Sequence, residues 1–396
     1  MLSERARMLR GSQTSGMRNR ARELRARGVR VVNFAAGELD QDTSADIKDA
    51  ARKAIDAGRT QYTDALGIGE LRDLLAQRVS RNAGIPYAAE EVGFTAGAKQ
   101  ALFSTALTVF GPGDEVIIPA PYWVTFPEQI RLAGATPVFL DTVTTAFQID
   151  AGALERLITS RTRGILLNTP HNPTGVVYSA AALAEIARLV LRHGLTCVYD
   201  ECYDELVYAP AAHHNIVKLV PEMKDRTILV GSLSKTYCMA GWRAGYFAGP
   251  RAVVKAIANL QSHSASNPCN IVQYAALAAL GPANDAFVNH IRGQLRHQRA
   301  IALKRIADIP QLSCTVPDGA FYLFPEISSL LGKSYAGTRL ENVDLLAEML
   351  LEHAHIAVVP GSAFGAPRHA RISYAIPGEE IITGLTSLDR FVQSLA

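Results

Sequence analysis

The residue with the most chemistry to offer is Lys235. It stands in Ser232-Leu233-Ser234-Lys235, directly after an apolar run, and Arg243 follows in Gly241-Trp242-Arg243-Ala244-Gly245. A lysine at the end of a buried strand is partly desolvated, which lowers its pKa and makes it an amine nucleophile. Ser232 and Ser234 offer hydroxyls and Arg243 a fork-shaped cation, a set that suits a phosphate dianion. Three other segments carry complementary groups. Asn168-Thr169-Pro170-His171-Asn172-Pro173-Thr174-Gly175 is a loop stiffened by prolines and closed by a glycine. Its Asn172 amide can donate to an oxyanion or phenolate. In Asp200-Glu201-Cys202-Tyr203 a carboxylate ends an apolar run and needs a cationic or N–H partner, while Tyr203 supplies a phenol. Thr95-Ala96-Gly97-Ala98-Lys99-Gln100 is a small-residue turn opening a helical pattern, and free N–H groups at such a start bind phosphate. Taken singly, these are a surface lysine, a turn, a helix cap and a helix start.

The elements that must position them alternate. Apolar, strand-like runs lie at 115–119, 137–140, 164–167, 196–199, 227–230 and 245–248, with helical spacing at 100–110, 123–132 and 180–191 between them. Continuous apolar strands separated by helices predict an α/β fold with a mostly parallel sheet covered on both faces. Ligands of such sheets collect at the carboxyl ends of the strands, where the four segments fall. After Gly281-Pro282 the pattern changes to a long helix, 287–309, and short strand-like pieces at 320–324, 356–359 and 370–374. The N-terminus reads as a helix over 16–27 and a strand over 29–34. The expected division is therefore 1–45 as an N-terminal arm and part of a small α+β domain, 46–280 as the large domain, and 281–396 as the rest of the small domain.

Gathered at one sheet edge, a nucleophilic lysine, a phosphate cradle, an acid and a phenol meet the needs of pyridoxal 5′-phosphate. Lys235 would form a Schiff base, and Asp200 would pair with the pyridinium nitrogen and keep the ring an electron sink. Tyr203 and Asn172 would bond the ring oxygen, and Trp123 in Pro121-Tyr122-Trp123 would stack on the ring. Composition removes other classes. The 396 residues carry 40 Lys plus Arg against 37 Asp plus Glu, a net charge of +3, too balanced for a nucleic-acid binder of the whole-surface kind. Nine arginines nonetheless crowd the first 30 residues. No apolar run reaches membrane-spanning length, and no secretory h-region is visible. The five cysteines are odd in number and lack a CxxC pair, which favours a reducing cytoplasm. His213-His214 reads as a solvated turn, and no metal site is expected.

The order and spacing of Gly37, Tyr62, Gly97-Ala98-Lys99, Trp123, Asn172-Pro173-Thr174-Gly175, Asp200, Tyr203, Ser232, Lys235, Arg243 and Arg371 resemble the class I aminotransferases of fold type I, closest to the bacterial aspartate aminotransferase subgroup. The resemblance runs from about Arg18 to the C-terminus. It implies that Lys235 also shuttles a proton during the reaction, assisted by Asp200 and Tyr203. It implies that Gly97, Ala98, Lys99, Ser232, Ser234 and Arg243 hold the phosphate, helped by Tyr62 from a second subunit of a homodimer. Arg371, with Gly37, Trp123 and Asn172, would bind the substrate, Arg371 gripping its α-carboxylate. Ser12 and Thr14 match hydroxyls that contact the substrate side chain. The substrates implied are an α-amino acid and a 2-oxo acid.

The chain departs from that pattern around the substrate. In Gly37-Glu38-Leu39-Asp40-Gln41-Asp42-Thr43-Ser44, Leu39, Gln41 and Ser44 replace two prolines and an aromatic. Cys238 stands where the lysine signature has a smaller residue. Near Ser266-Asn267-Pro268, where the better-known aspartate enzymes carry an arginine, this chain has Ser262 and His263. Two enzyme readings follow: amino-group transfer, or elimination, decarboxylation or oxidative deamination on the same cofactor. A regulator's sensor domain would need a DNA-binding module, and none fits before the matched region.

Overall fold

The strands predicted in the middle of the chain form, with one more, a seven-stranded sheet. The computed structural model describes residues 1–3, 6, 7, 11 and 13–396, without the side chains of 13–15 and 18. Ahead of the sheet lie the helix Gln13–Ala26 and β1, Val32–Asn33, which pairs in parallel with Ile356–Ala357. The sheet strands are β2 (Val92–Thr95), β3 (Glu115–Ala120), β4 (Thr136–Asp141), β5 (Thr162–Asn168), β6 (Thr196–Asp200), β7 (Thr227–Ser232) and β8 (Gly245–Ala248), in the order β2-β8-β7-β6-β5-β3-β4. β3 and β7 are buried along their whole length, whereas in β4, at the edge, only Leu140 is buried. That is the burial expected when helices cover both faces.

Helices Thr125–Leu132 and Ala180–His193 supply crossovers between neighbouring parallel strands, β3 to β4 and β5 to β6, while Ala98–Val109 carries the chain from β2 across the sheet to β3. The segment between β7 and β8 has no helix. Without a crossover the chain must return antiparallel, and β8 runs antiparallel to both β7 and β2. β2 is the strand that the periodicity misses. It is only Val-Gly-Phe-Thr, and a Cβ at Gly93 would lie 2.6 Å from the Phe247 ring, so the glycine is a packing slot.

The register sets the site. Asn168 pairs opposite Asp200, Ser232 opposite Gly245, and Gly245 opposite Thr95. Four of the chemistry-bearing turns thus leave one edge of one sheet. Beyond it, Val359–Pro360, Ala370–Ser373 and Tyr322–Leu323 form a three-stranded antiparallel sheet. The long helix runs Asp285–Ala307. The run expected as one strand over 356–359 is two short strands pairing with different partners, and the strand expected over 29–34 shrinks to two residues. Among the described residues no helix is long and apolar enough to cross a membrane.

Candidate active site

A cavity of about 500 Å³ opens at this sheet edge, lined from the turns after β5, β6 and β7, from the start of the helix Ala98–Val109, and from Gly37, Tyr322 and Arg371. Its charged lining is Lys99, Lys235, Arg243 and Arg371 against Glu38 and Asp200, a surplus of cations that suits an anionic ligand.

Lys235 points into it, and its Nζ donates to the Gly37 carbonyl at 2.5 Å. Burial, aided by the positive charges of Arg371 and Arg243, outweighs Glu38 and lowers the ammonium to about 8. About a tenth of it is therefore free amine at pH 7, far more than an ordinary lysine holds, and a nucleophile needs that form. Asp200 ends β6 with only 4% of its surface exposed. Burial raises its carboxyl to about 6, although the Cys202 N–H donates to Oδ1 at 3.0 Å. It therefore closes a short Asx turn rather than capping a helix.

The Asn168 loop is cross-braced. Asn168 Oδ1 accepts from the Asn172 N–H at 2.9 Å, and its amide donates to the Asp200 carbonyl at 3.1 Å. His171, pressed beside Thr174, is lowered by burial to about 3 and stays neutral. Asn172 Oδ1 in turn accepts from Arg371 Nη1 at 2.9 Å. Arg371 is 3% exposed. Nη2 donates to the Ala35 carbonyl at 3.2 Å, and Nε has no partner. Its guanidinium lies over the rings of Tyr322 and Phe364, at 4.4 and 5.1 Å from their centroids. Among the described residues no carboxylate pairs with it. A buried cation without a counter-ion is costly, and here the residue lines the cavity that also holds Lys235.

The phosphate end is shaped by glycines. A Cβ on Gly245 would fall 2.3 Å from the Ala98 nitrogen, so β8 is pressed against the helix start. Gly97 has φ +85°, and a Cβ there would meet Arg243 Nη2 at 2.5 Å. Ala98, Lys99, Ser232, Ser234 and Arg243 line the cavity. Gly97 shapes it without lining it. This cradle, the buried acid and the softened lysine fit pyridoxal 5′-phosphate.

Trp123 also lines the cavity, ahead of its helix, which begins at Thr125 rather than 123. Lys99 Nζ sits 4.9 Å above its ring. Tyr203 is buried, its hydroxyl 2.9 Å from that of Tyr322. Tyr62 is 88% exposed and does not reach the cavity of its own chain. At Gly37 a Cβ would make only ordinary contact, 3.6 Å from Tyr322 Oη, so space does not demand a glycine there. Ser12 lies outside the described residues, as does the side chain of Thr14. Ser262 and His263 are exposed and away from the cavity. Sequence reasoning passed over Tyr322, Asn168, Cys202 and Glu38. Tyr322 offered one signal, a polar-tipped aromatic within an apolar strand pattern.

Comparison with known proteins agrees with this geometry. The family described as aminotransferase class I and II matches residues 29–388. The aspartate aminotransferase of Geobacillus stearothermophilus is 40% identical over the full length of both chains. The aspartate/prephenate aminotransferase of Cereibacter sphaeroides is also 40% identical, covering 100% of this chain and 99% of its own. The solved aspartate aminotransferase of Thermus thermophilus with maleate superposes with a TM-score of 0.93 at 38% identity, covering 99% of both chains. That from Rhizobium meliloti gives 0.95 at 36% identity over all of both chains. None of these relatives is named for elimination, decarboxylation or oxidative deamination. The chain belongs to the class I and II aminotransferases, in the bacterial aspartate aminotransferase subgroup of fold type I, and is a pyridoxal 5′-phosphate-dependent enzyme that moves an amino group between an α-amino acid and a 2-oxo acid.

Proposed function

We propose that this cavity is the transamination site and that Arg371 is its substrate anchor. The observation that carries the reading is a buried guanidinium with no carboxylate partner among the described residues, in the lining of the cavity that holds Lys235. A substrate α-carboxylate supplies the missing charge and accepts two parallel N–H bonds.

Ala98, Lys99, Ser232, Ser234 and Arg243 hold the cofactor phosphate in the cradle shaped by Gly97. Asp200 holds the proton on the ring nitrogen, and Asn172 and Tyr203 donate to the ring oxygen. Trp123 covers the ring face and excludes water from it. When bound, pyridoxal 5′-phosphate supplies an electron sink for the charge left at the substrate Cα. Lys235 Nζ, whose ammonium burial makes easier to deprotonate, takes the Cα proton as general base in its amine form. Arg371 fixes the carboxylate so that this proton faces Nζ. Tyr203 acts through its hydroxyl, tied to that of Tyr322.

The working form is a homodimer in which Tyr62, exposed on its own chain, reaches the phosphate of the partner subunit. Residues 1–45 and 281–396 make the small domain with its N-terminal arm, and residues 46–280 make the large one. Ser12 and Thr14 belong to the substrate entrance, and the enzyme works in the cytoplasm. The names of the relatives make aspartate and prephenate the first substrates to try. The loaded enzyme is mixed with a panel of amino acids without acceptor. A true donor yields its 2-oxo acid, at most one per site. Ammonia or CO₂ released over many turnovers would overturn the reading. Light scattering of the active species checks the dimer, which an active monomer would contradict.

A further inference from the structure

Four acids crowd the turn after β6: Asp200, Glu201, Asp204 and Glu205. Only Asp200 lines the cavity. The other three face a separate set of cations. Arg78, on the helix Gly69–Ala83, reaches Asp204 at 3.4 Å and Glu205 at 3.1 Å. Arg292, on the long helix, pairs with Glu205. Glu201 is 2% exposed, and its Oε2 accepts from two groups of the 209–215 segment, His213 Nε2 and Asn215 Nδ2, each at 3.0 Å. Asn215 is itself fixed, since its Oδ1 accepts from Val217 and Lys218 N–H at the start of a short helix. The expected solvated turn is thus half right: the His213 side chain is only 13% exposed and lies on Glu201.

Glu201 is the immediate neighbour of Asp200, and its negative charge opposes ionisation of Asp200. We propose that His213 is a positioning residue for Asp200: as a cation paired with Glu201, it cancels the charge beside the strand end, so that of these two adjacent acids only Asp200 presents negative charge to the cavity. The proposal rests on Asp200 being the ring-nitrogen partner. The groups facing the pair agree with a charged imidazole. Asp204 and Glu205 are the next acids, Tyr199 packs beside the ring at 6.2 Å between centroids, and Tyr87 and Tyr246 feel Glu201. Burial pulls His213 down, but the Glu201 bond and these acids prevail and hold it above its ordinary range. Its Nδ1 has no partner. That orphan penalises both protonation states, because a lone pair and an N–H each go unpaired.

The test uses loaded enzyme and reads the pH midpoint of its visible band, together with the NMR titration of the His213 ring. His213→Gln keeps a donor for Glu201 but removes the positive charge. It should raise the band midpoint by roughly half a unit, as one added negative charge does through a partly screened interior. Glu201→Gln should lower the His213 midpoint by about a unit or more. In the double variant both charges are gone while an amide pair remains, and the band midpoint should return to the wild-type value. A merely structural role predicts no shift in His213→Gln and no return in the double variant, and that result would overturn the proposal. So would a His213 ring neutral at pH 6.5. Melting temperatures of the three variants check folding. Failure of the underlying site reading looks different: Asp200→Asn would then leave the band and its midpoint unmoved, whatever the His213 variants do.

Discussion

Replacing Arg371 by lysine tests the anchor. The guanidinium is held flat by Tyr322 and Phe364, with Nη1 on Asn172 and Nη2 on Ala35. Arg371 lines the cavity, and its planar fork can give a carboxylate two parallel N–H bonds. Lysine keeps the charge but has one nitrogen and no second N–H in that plane. A carboxylate would therefore lose one charge-assisted hydrogen bond, worth about 1.5–3 kcal/mol. That corresponds to a fall of roughly 10- to 150-fold in kcat/KM. Arg371→Leu removes both bonds and should cost about twice that in free energy. The assay is the single-turnover reaction of loaded enzyme with an α-amino acid, run beside the same compound lacking its α-carboxylate. The loss should be confined to the carboxylate-bearing substrate, because the amine never used the anchor. The variant should keep its visible band. Its melting temperature is needed as well, since Asn172 Oδ1 loses its Arg371 donor. An unchanged kcat/KM for the amino acid, or an equal fall for both compounds, would refute the reasoning.

Burial predicts two further outcomes and space a third. In the cofactor-free enzyme Lys235 is lowered to about 8 from 10.5, so the unfolded chain binds more protons between those values. Stability should rise with pH across about 8 to 10.5 by on the order of 3 kcal/mol from this group, and denaturant titrations of Lys235→Met should lack that rise. Asp200, raised to about 6 from 3.8, works the other way. The folded chain binds more protons between those values, stability falls as pH rises through them, and Asp200→Asn should remove that fall. Gly245→Ala should weaken cofactor retention at least tenfold in equilibrium dialysis, because its Cβ would meet backbone at 2.3 Å and push the helix start away. Retention at the wild-type level would contradict the cradle.

The sheet and the residues at its edge were legible because burial on both faces writes long apolar runs, and polar groups at their ends stand out. β5, β6 and β7 were each expected to end one or two residues early, since Asn168, Asp200 and Ser232 are polar residues paired within the ladder. The pattern cannot show that a functional side chain also belongs to a strand. β2 was missed because Gly93 hides its strand character. Tyr322 was passed over, and His213 was read as part of a solvated turn, for the opposite reason. Their neighbours look like ordinary core and ordinary turn, and only tertiary contacts with Tyr203 and Glu201 give them a role. Of the N-terminal arginines, Arg20 bridges to Glu348 and Glu352 at the surface, an exposed network of small energetic weight. Arg25 does more: its Nε donates to the Val31 carbonyl at 2.9 Å and ties the first helix to β1.

The central claim is that Lys235 carries the cofactor and the reaction. The most direct measurement is the absorbance of Lys235→Ala loaded with pyridoxal 5′-phosphate, compared with the wild type across pH and after mixing with an amino donor. Wild type should show a visible band that titrates with pH and bleaches on single turnover as 2-oxo acid appears. The variant should lack the titrating band and form no 2-oxo acid at a measurable rate. A variant that kept the band and turned over like wild type would contradict the account.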